Sequence, residues 1–230
     1  MRMQHVLKHS LFLPRKMNKL KHERVSFFVD GFSLGGVLSQ PSSESKNAVL
    51  LLHPHPLYGG DKDNYVVKRI EQLFLEMEYI VMRFDFRGAS STHMRYDGLS
   101  GAVEDTYKAI EFIKRHDVQT LGLIGYSFGG STALRVATTR SLSFLVTLSA
   151  SYELFLEGNY DESHLKKIRC PVLMFHGISD DMVPFTDLKK FSSSISGIKM
   201  ISLENENHFY QFTLPDVLNE ISSFISTLCD

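Results

Sequence analysis

Residues 48–53 form an unbroken apolar run that closes on a histidine, with no alternate polar positions to face water. A half-exposed strand alternates apolar with polar residues, so a continuous run of strand length suits a strand buried on both faces. Further strand-length, mostly apolar segments lie at 79–84, 121–125, 142–148, 171–175 and 199–203. Between these runs lie segments of helical spacing. Residues 63–78 place Val66, Val67, Ile70, Leu73 and Phe74 on one face, and 99–115 does so with Val103, Tyr107, Ile110, Phe112 and Ile113. Residues 131–139, 185–195 and 217–228 also read as helices. Strands alternating with helices imply crossover connections and a mostly parallel sheet. Upstream, residues 25–30 and 33–40 flank Asp30-Gly31 as an antiparallel hairpin. The expected fold class is α/β: a mostly parallel eight-stranded sheet with an N-terminal antiparallel hairpin and helices on both faces.

Composition narrows the function classes. The chain has 230 residues, 43% apolar and 22% charged, which is ordinary globular usage. Its net charge of −1 gives no reason to expect nucleic-acid binding. The longest aliphatic run, 48–52, is far short of the ~20 residues needed to span a bilayer, so no membrane partner is expected. Two cysteines, Cys170 and Cys229, provide neither a disulfide framework nor metal-ligand spacing, and a cytoplasmic location is the default. The charge is uneven. Residues 1–22 carry +6 and no acid, leaving −7 on the rest. A transit peptide, an upstream extension and a true start at Met17 all fit that segment. With no linker of Pro, Gly and Ser, the expected division is a basic extension over 1–22 and one domain over 23–230. The sequence sets no oligomeric state, and a homo-oligomer stays open.

Gly-x-Ser-x-Gly occurs twice. At 31–35 it lies in the hairpin, and Pro41 prevents a helix from following. At 125–129, Gly125-Tyr126-Ser127-Phe128-Gly129 follows an apolar strand and leads into a helix, which is the context a nucleophilic serine on a tight turn requires. Side chains two positions either side of such a serine would collide, and a helix N-terminus beside the hydroxyl favours developing negative charge. A serine hydroxyl needs a base. In the chain order Ser, Asp, His, the histidine must follow the acid, and His208 alone lies beyond Asp180. The acid belongs to the loop after the 171–175 strand, where Gly177-x-x-Asp180 favours Asp180 over Asp181. Asp181 has a plain alternative as a helix cap or a solvated residue. With Glu204 and Glu206 beside it, a plain solvated loop is the alternative to His208 as the base.

His53-Pro54-His55-Pro56-Leu57-Tyr58-Gly59-Gly60 follows the first buried strand. With Arg83–Gly88, Gly125–Gly130, His176–Asp180 and Asn207-His208-Phe209, this loop makes the chain, from about residue 25 onward, resemble the α/β-hydrolase superfamily. It is most similar to small bacterial serine hydrolases of dienelactone-hydrolase-like and cinnamoyl-esterase-like type. The resemblance implies an oxyanion hole of two backbone N–H groups, one from Phe128 and one from the His-Pro-His-Pro loop. Prolines cannot donate, which leaves His55 or Leu57, with Leu57 favoured because it follows the second His-Pro. His53 and His55 are expected to brace the loop rather than bind metal, and Asp85 and Arg87 to brace a strand end. Enzymes of this fold often carry a cap after the strand equivalent to 142–148. Residues 149–168 allow only a minimal one, whose Tyr152, Leu154, Phe155 and Leu156 either line an acyl pocket or pack the flap down. Tyr58, Tyr126, Tyr152 and Phe155 are the candidate substrate-binding residues. The expectation is a serine esterase acting on small or accessible carboxylic esters without metal or organic cofactor. A thioesterase, a small-peptide hydrolase or a slow-turnover ligand receptor are the alternatives.

Overall fold

The computed structural model describes residues 20–228. Strands β1 (Lys21–Val29) and β2 (Phe32–Gln40) pair antiparallel around Asp30 and Gly31, both at positive φ (50° and 82°), as a tight two-residue hairpin requires. Then follow β3 (Asn47–Leu52), α1 (Tyr65–Glu76), β4 (Ile80–Phe84), α2 (Gly98–Ile113), β5 (Thr120–Tyr126) and α3 (Phe128–Ala137). The chain continues through β6 (Phe144–Leu148), α4 (Tyr152–Leu156), α5 (Glu162–Leu165), β7 (Val172–Gly177), α6 (Thr186–Ser192), β8 (Ile198–Leu203) and α7 (Leu214–Ser226). All eight strands join one sheet in the order β1-β2-β4-β3-β5-β6-β7-β8. β2 runs antiparallel to β4, and every pairing from β4 to β8 is parallel.

The two-residue period of a strand explains the two cores. In β3, Ala48, Leu50 and Leu52 join Met82, Phe84, Leu123 and Leu134 under α2 and α3. Val49 and Leu51 point the other way and join Val81, Phe74, Val217 and Ile221 under α1 and α7. Helix α1 buries Val66, Val67, Ile70 and Phe74 on that face, and the Asn64 side chain caps it by accepting the Val66 N–H at 3.0 Å. The edge strand β8 keeps Lys199 and Met200 exposed, since only one neighbour covers it.

Differences from the sequence reading are local. β1 begins at Lys21, so the expected 22/23 boundary falls inside a strand, while residues 1–19 of the basic segment lie outside the described residues. Cys229 lies outside them too. Helix α3 starts at Phe128 rather than 131, directly after Ser127. The expected flap over 149–168 is two short helices, α4 and α5. No helix among the described residues is long and apolar enough to cross a membrane.

Candidate active site

The carboxyl ends of β3, β5, β7 and β8 meet at one edge of the sheet, where loops rather than helices must satisfy the backbone. Ser127 occupies the turn between β5 and α3 with φ 55° and ψ −118°, a conformation that side-chain-bearing residues rarely adopt. Two glycines permit the turn. A Cβ on Gly125 would lie 2.1 Å from the Gly129 carbonyl oxygen, and one on Gly129 would lie 2.4 Å from that of Leu52. The Ser127 N–H donates to the Leu148 carbonyl at 2.7 Å, which ties the turn to β6. The second match, at 31–35, is the hairpin tip and the start of β2, with no helix after it.

The Ser127 Oγ is 2.9 Å from Nε2 of His208, whose Nδ1 is 2.8 Å from Oδ2 of Asp180. Asp180 accepts hydrogen bonds only, so Nδ1 carries the proton and Nε2 is left to accept from the serine hydroxyl. The other Asp180 oxygen accepts the Met182 and Val183 N–H groups at 3.0 and 2.9 Å. Burial alone would raise the Asp180 carboxyl. Hydrogen bonds from His176 and His208, with the Val183 N–H, override it and hold the group well below the usual carboxylate range. His176 is itself buried and donates through Nε2 to the Val183 carbonyl at 3.0 Å, 3.4 Å from the Asp180 oxygen. Asp181 is exposed and caps no helix.

The His208 loop is held from beneath. The Tyr126 hydroxyl donates to the His208 carbonyl at 2.7 Å. Glu206 is completely buried, and its carboxylate accepts five hydrogen bonds: from the N–H groups of Asn207, Gln211, Phe212 and Thr213 at 3.0, 3.1, 3.0 and 2.5 Å, and from the Thr213 hydroxyl at 2.8 Å. Glu206 is therefore the internal anchor of the loop and not part of a solvated acidic stretch. Glu204 is exposed.

The loop after β3 packs on the start of α3. The His55 ring sits 4.8 Å from that of Phe128 and 4.8 Å from that of Tyr58. His53 is fully buried. It accepts the Phe86 N–H at Nε2 (2.9 Å) and donates from Nδ1 to the Pro54 carbonyl (2.6 Å), and burial pulls it down to about 4. Both its nitrogens thus face protein partners. His55 bonds the Tyr96 hydroxyl at 3.1 Å through Nε2, and its Nδ1 accepts the Leu57 N–H at 3.2 Å. Asp85 accepts from the Lys62 N–H and ammonium, each at 2.8 Å, and from Ser91, and so reaches the same loop. Arg87 bonds Asp105 at 2.9 Å and Asp30 at 3.2 Å, tying the hairpin tip to α2. Among the described residues, no group of three or more His, Cys, Asp and Glu is arranged to hold a metal ion.

The model of the alpha/beta hydrolase domain matches residues 45–216. The chain belongs to the α/β-hydrolase family. An uncharacterized protein of Rickettsia prowazekii is 25% identical over 202 residues, 84% of each chain. A serine hydrolase homologue from Coxiella burnetii is 26% identical with a TM-score of 0.77, over 86% of this hydrolase and 95% of that chain. A serine hydrolase without a lid from Xanthomonas campestris, 20% identical with a TM-score of 0.78, shares the fold over 90% of this hydrolase and 94% of its own chain. Family and neighbours support hydrolase activity.

In this hydrolase the residues read from sequence separate into two groups. Ser127, His208 and Asp180 converge, and Phe128 supplies the first N–H of α3, which has no partner among the described residues. The Leu57 N–H, expected as the second oxyanion donor, is turned onto His55 Nδ1 at 3.2 Å. The His55 N–H, by contrast, has no partner among the described residues. Of the candidate substrate-binding residues, Tyr58 stands exposed at the mouth. Tyr126, Tyr152 and Phe155 are buried, 4%, 6% and 0% exposed. Tyr126 underpins His208, Tyr152 meets Phe191 edge-to-face and bonds Glu162, and Phe155 packs against Phe191 and Tyr160. The cap is pinned down. Arg135 of α3 is buried and donates to the carbonyls of Leu154, Phe155 and Glu157, Ser131 bonds Ser151, and Asp187 accepts the Tyr152 N–H at 2.8 Å. Sequence reasoning passed over Glu206, His176 and Arg135 as functional supports. The one sequence signal for them is placement: an acid two residues before His208, a histidine four before Asp180, and an arginine two turns into the helix after Ser127.

Proposed function

We propose that this hydrolase is a serine esterase cleaving accessible carboxylic esters through an acyl-enzyme. The observation that carries the reading is the continuous hydrogen-bonded chain Ser127 Oγ, His208 Nε2–Nδ1, Asp180 Oδ2 at 2.9 and 2.8 Å. Ser127 Oγ attacks the ester carbonyl carbon while its proton passes to His208 Nε2. Asp180 holds the imidazole in the required tautomer and stabilises its charged form. The carbonyl oxygen becomes an oxyanion, accepted by the Phe128 N–H and the His55 N–H. The tetrahedral intermediate then collapses, the C–O bond breaks, and the alcohol leaves with the proton from His208. Water, deprotonated by His208, attacks the acyl carbon and frees the carboxylic acid and Ser127.

The test is hydrolysis of p-nitrophenyl acetate by the wild type and by Ser127→Ala, with fluorophosphonate labelling located by peptide mass. Turnover lost in the variant, with the label on Ser127, is expected. Turnover retained by Ser127→Ala rules the reading out.

A further inference from the structure

Six large apolar side chains on the loops around the site are each between 46% and 80% exposed: Leu57, Tyr58, Ile178, Met182, Phe209 and Phe212. They come from the loops after β3, β7 and β8, which carry His55, Asp180 and His208. Tyr58 lies against His55, which lies against Phe128. Met182 donates its N–H to Asp180, and the Phe209 ring is 5.9 Å from that of His208. Loops satisfied by polar contacts do not need apolar tips, and contiguous exposed apolar surface marks a binding region. The charge around it points the same way. Across residues 53–64, 177–183 and 204–213 Lys62 is the one lysine or arginine. Its ammonium is committed to Asp85 at 2.8 Å and Asp63 at 3.3 Å, while Asp181 and Glu204 are exposed. These three loops thus offer no free cation to an anionic head group, and their exposed carboxylates repel one.

We infer that the ester this enzyme recognises carries an uncharged apolar chain that lies across this collar, outside the cleft. The inference rests on the serine-hydrolase reading and adds the substrate class to it. The pinned cap cannot fold over such a chain, so the chain is covered on one face only. Full burial of a methylene strengthens binding about fourfold, and one-sided cover about twofold.

The experiment measures the rate of Ser127 modification by O-alkyl fluorophosphonates from ethyl to octyl, normalised to their hydrolysis in buffer. In that reaction the Oγ–P bond forms, the P–F bond breaks, fluoride leaves and the serine proton passes to His208. The expected rate rises about twofold per methylene, about sixtyfold across the series. The Met182→Ser/Phe209→Ser double variant is expected to halve the logarithmic slope. Met200→Ser, an exposed apolar position on edge strand β8, is the control and leaves the series unchanged. Modification of Ser127 at a rate independent of chain length overturns the collar assignment and leaves the nucleophile in place. A slope identical in the double variant also overturns it, because the chain then binds elsewhere. A flat series together with dimerisation abolished in the double variant would assign the collar to a second copy instead. Failure of every reagent to modify Ser127 overturns both the hydrolase reading and the inference built on it.

Discussion

Replacing Glu206 by glutamine tests whether a buried charge sets the position of His208. All five partners of the carboxylate donate to it. A glutamine amide keeps one accepting oxygen, so in either flip its NH2 faces two backbone N–H groups: Asn207 and Gln211, or Phe212 and Thr213. The Thr213 hydroxyl can rotate to accept, but the amides cannot. A buried donor left without an acceptor costs ~1–3 kcal/mol. Two such donors, partly reached by water, cost about 2–4 kcal/mol. For a chain of this length that lowers Tm by about 5–15 °C. The loop that relaxes carries Nε2 of His208, 2.9 Å from the serine oxygen. A misplacement near 1 Å costs about a hundredfold, so kcat should fall about 10–100-fold while KM stays nearly constant. The assay is p-nitrophenyl ester hydrolysis well below both unfolding transitions, alongside calorimetry. A variant that melts within a degree of wild type and turns over at the same kcat would refute the argument. A Tm loss with kcat intact would mean that the carboxylate serves the fold but does not place the histidine.

Three further outcomes follow from the same contacts. Asp180→Asn should lower kcat by about 10³–10⁴, because it presents the wrong partner to Nδ1, whereas Asp181→Asn should leave turnover nearly intact; equal losses would contradict the geometry. The Thr147 hydroxyl is buried without a partner among the described residues, so Thr147→Val should raise stability by about 1 kcal/mol in denaturant titration, and a loss would show an unseen partner. His53 takes up its proton only near pH 4 when folded but at 6.5 when unfolded. Stability should therefore fall as pH drops from 6.5 towards 4, by about 3 kcal/mol over the full span, and less steeply in His53→Gln. Below the ordinary carboxylate pKa of 3.8 the depressed Asp180 adds its own loss; equal pH slopes in wild type and His53→Gln would exclude the histidine as a source.

What the sequence made legible depends on whether a residue's role is written in its neighbours along the chain. The run at 48–52 carries no polar side chain, and its strand length between turn residues marks it as a strand buried on both faces, so β3 and the alternation after it could be read directly. The elbow could be read because Gly125 and Gly129 are needed by sterics within five residues. Asp180 and Asp181 were separable by spacing alone. The roles of Tyr126, Tyr152 and Phe155 were not, since an aromatic near a reactive serine looks the same in sequence whether it points at the cleft or into the core. The oxyanion register was hidden for a similar reason: the Leu57 N–H is claimed by a side chain two residues earlier, which no pattern announces. The anchoring role of Glu206 could not be read, because acidic loop residues are usually solvated and only the fold of residues 206–213 turns four backbone amides towards it.

The bonds from Arg135, Ser131 and Asp187 to the cap also bear on how the enzyme cycles. A roof fastened to the helix behind the nucleophile has no open and closed forms to interconvert, so no gating step precedes capture or delays departure of product. Rates should then carry no lag and no surface-triggered burst, and should respond to solvent viscosity only through diffusion of the ester itself.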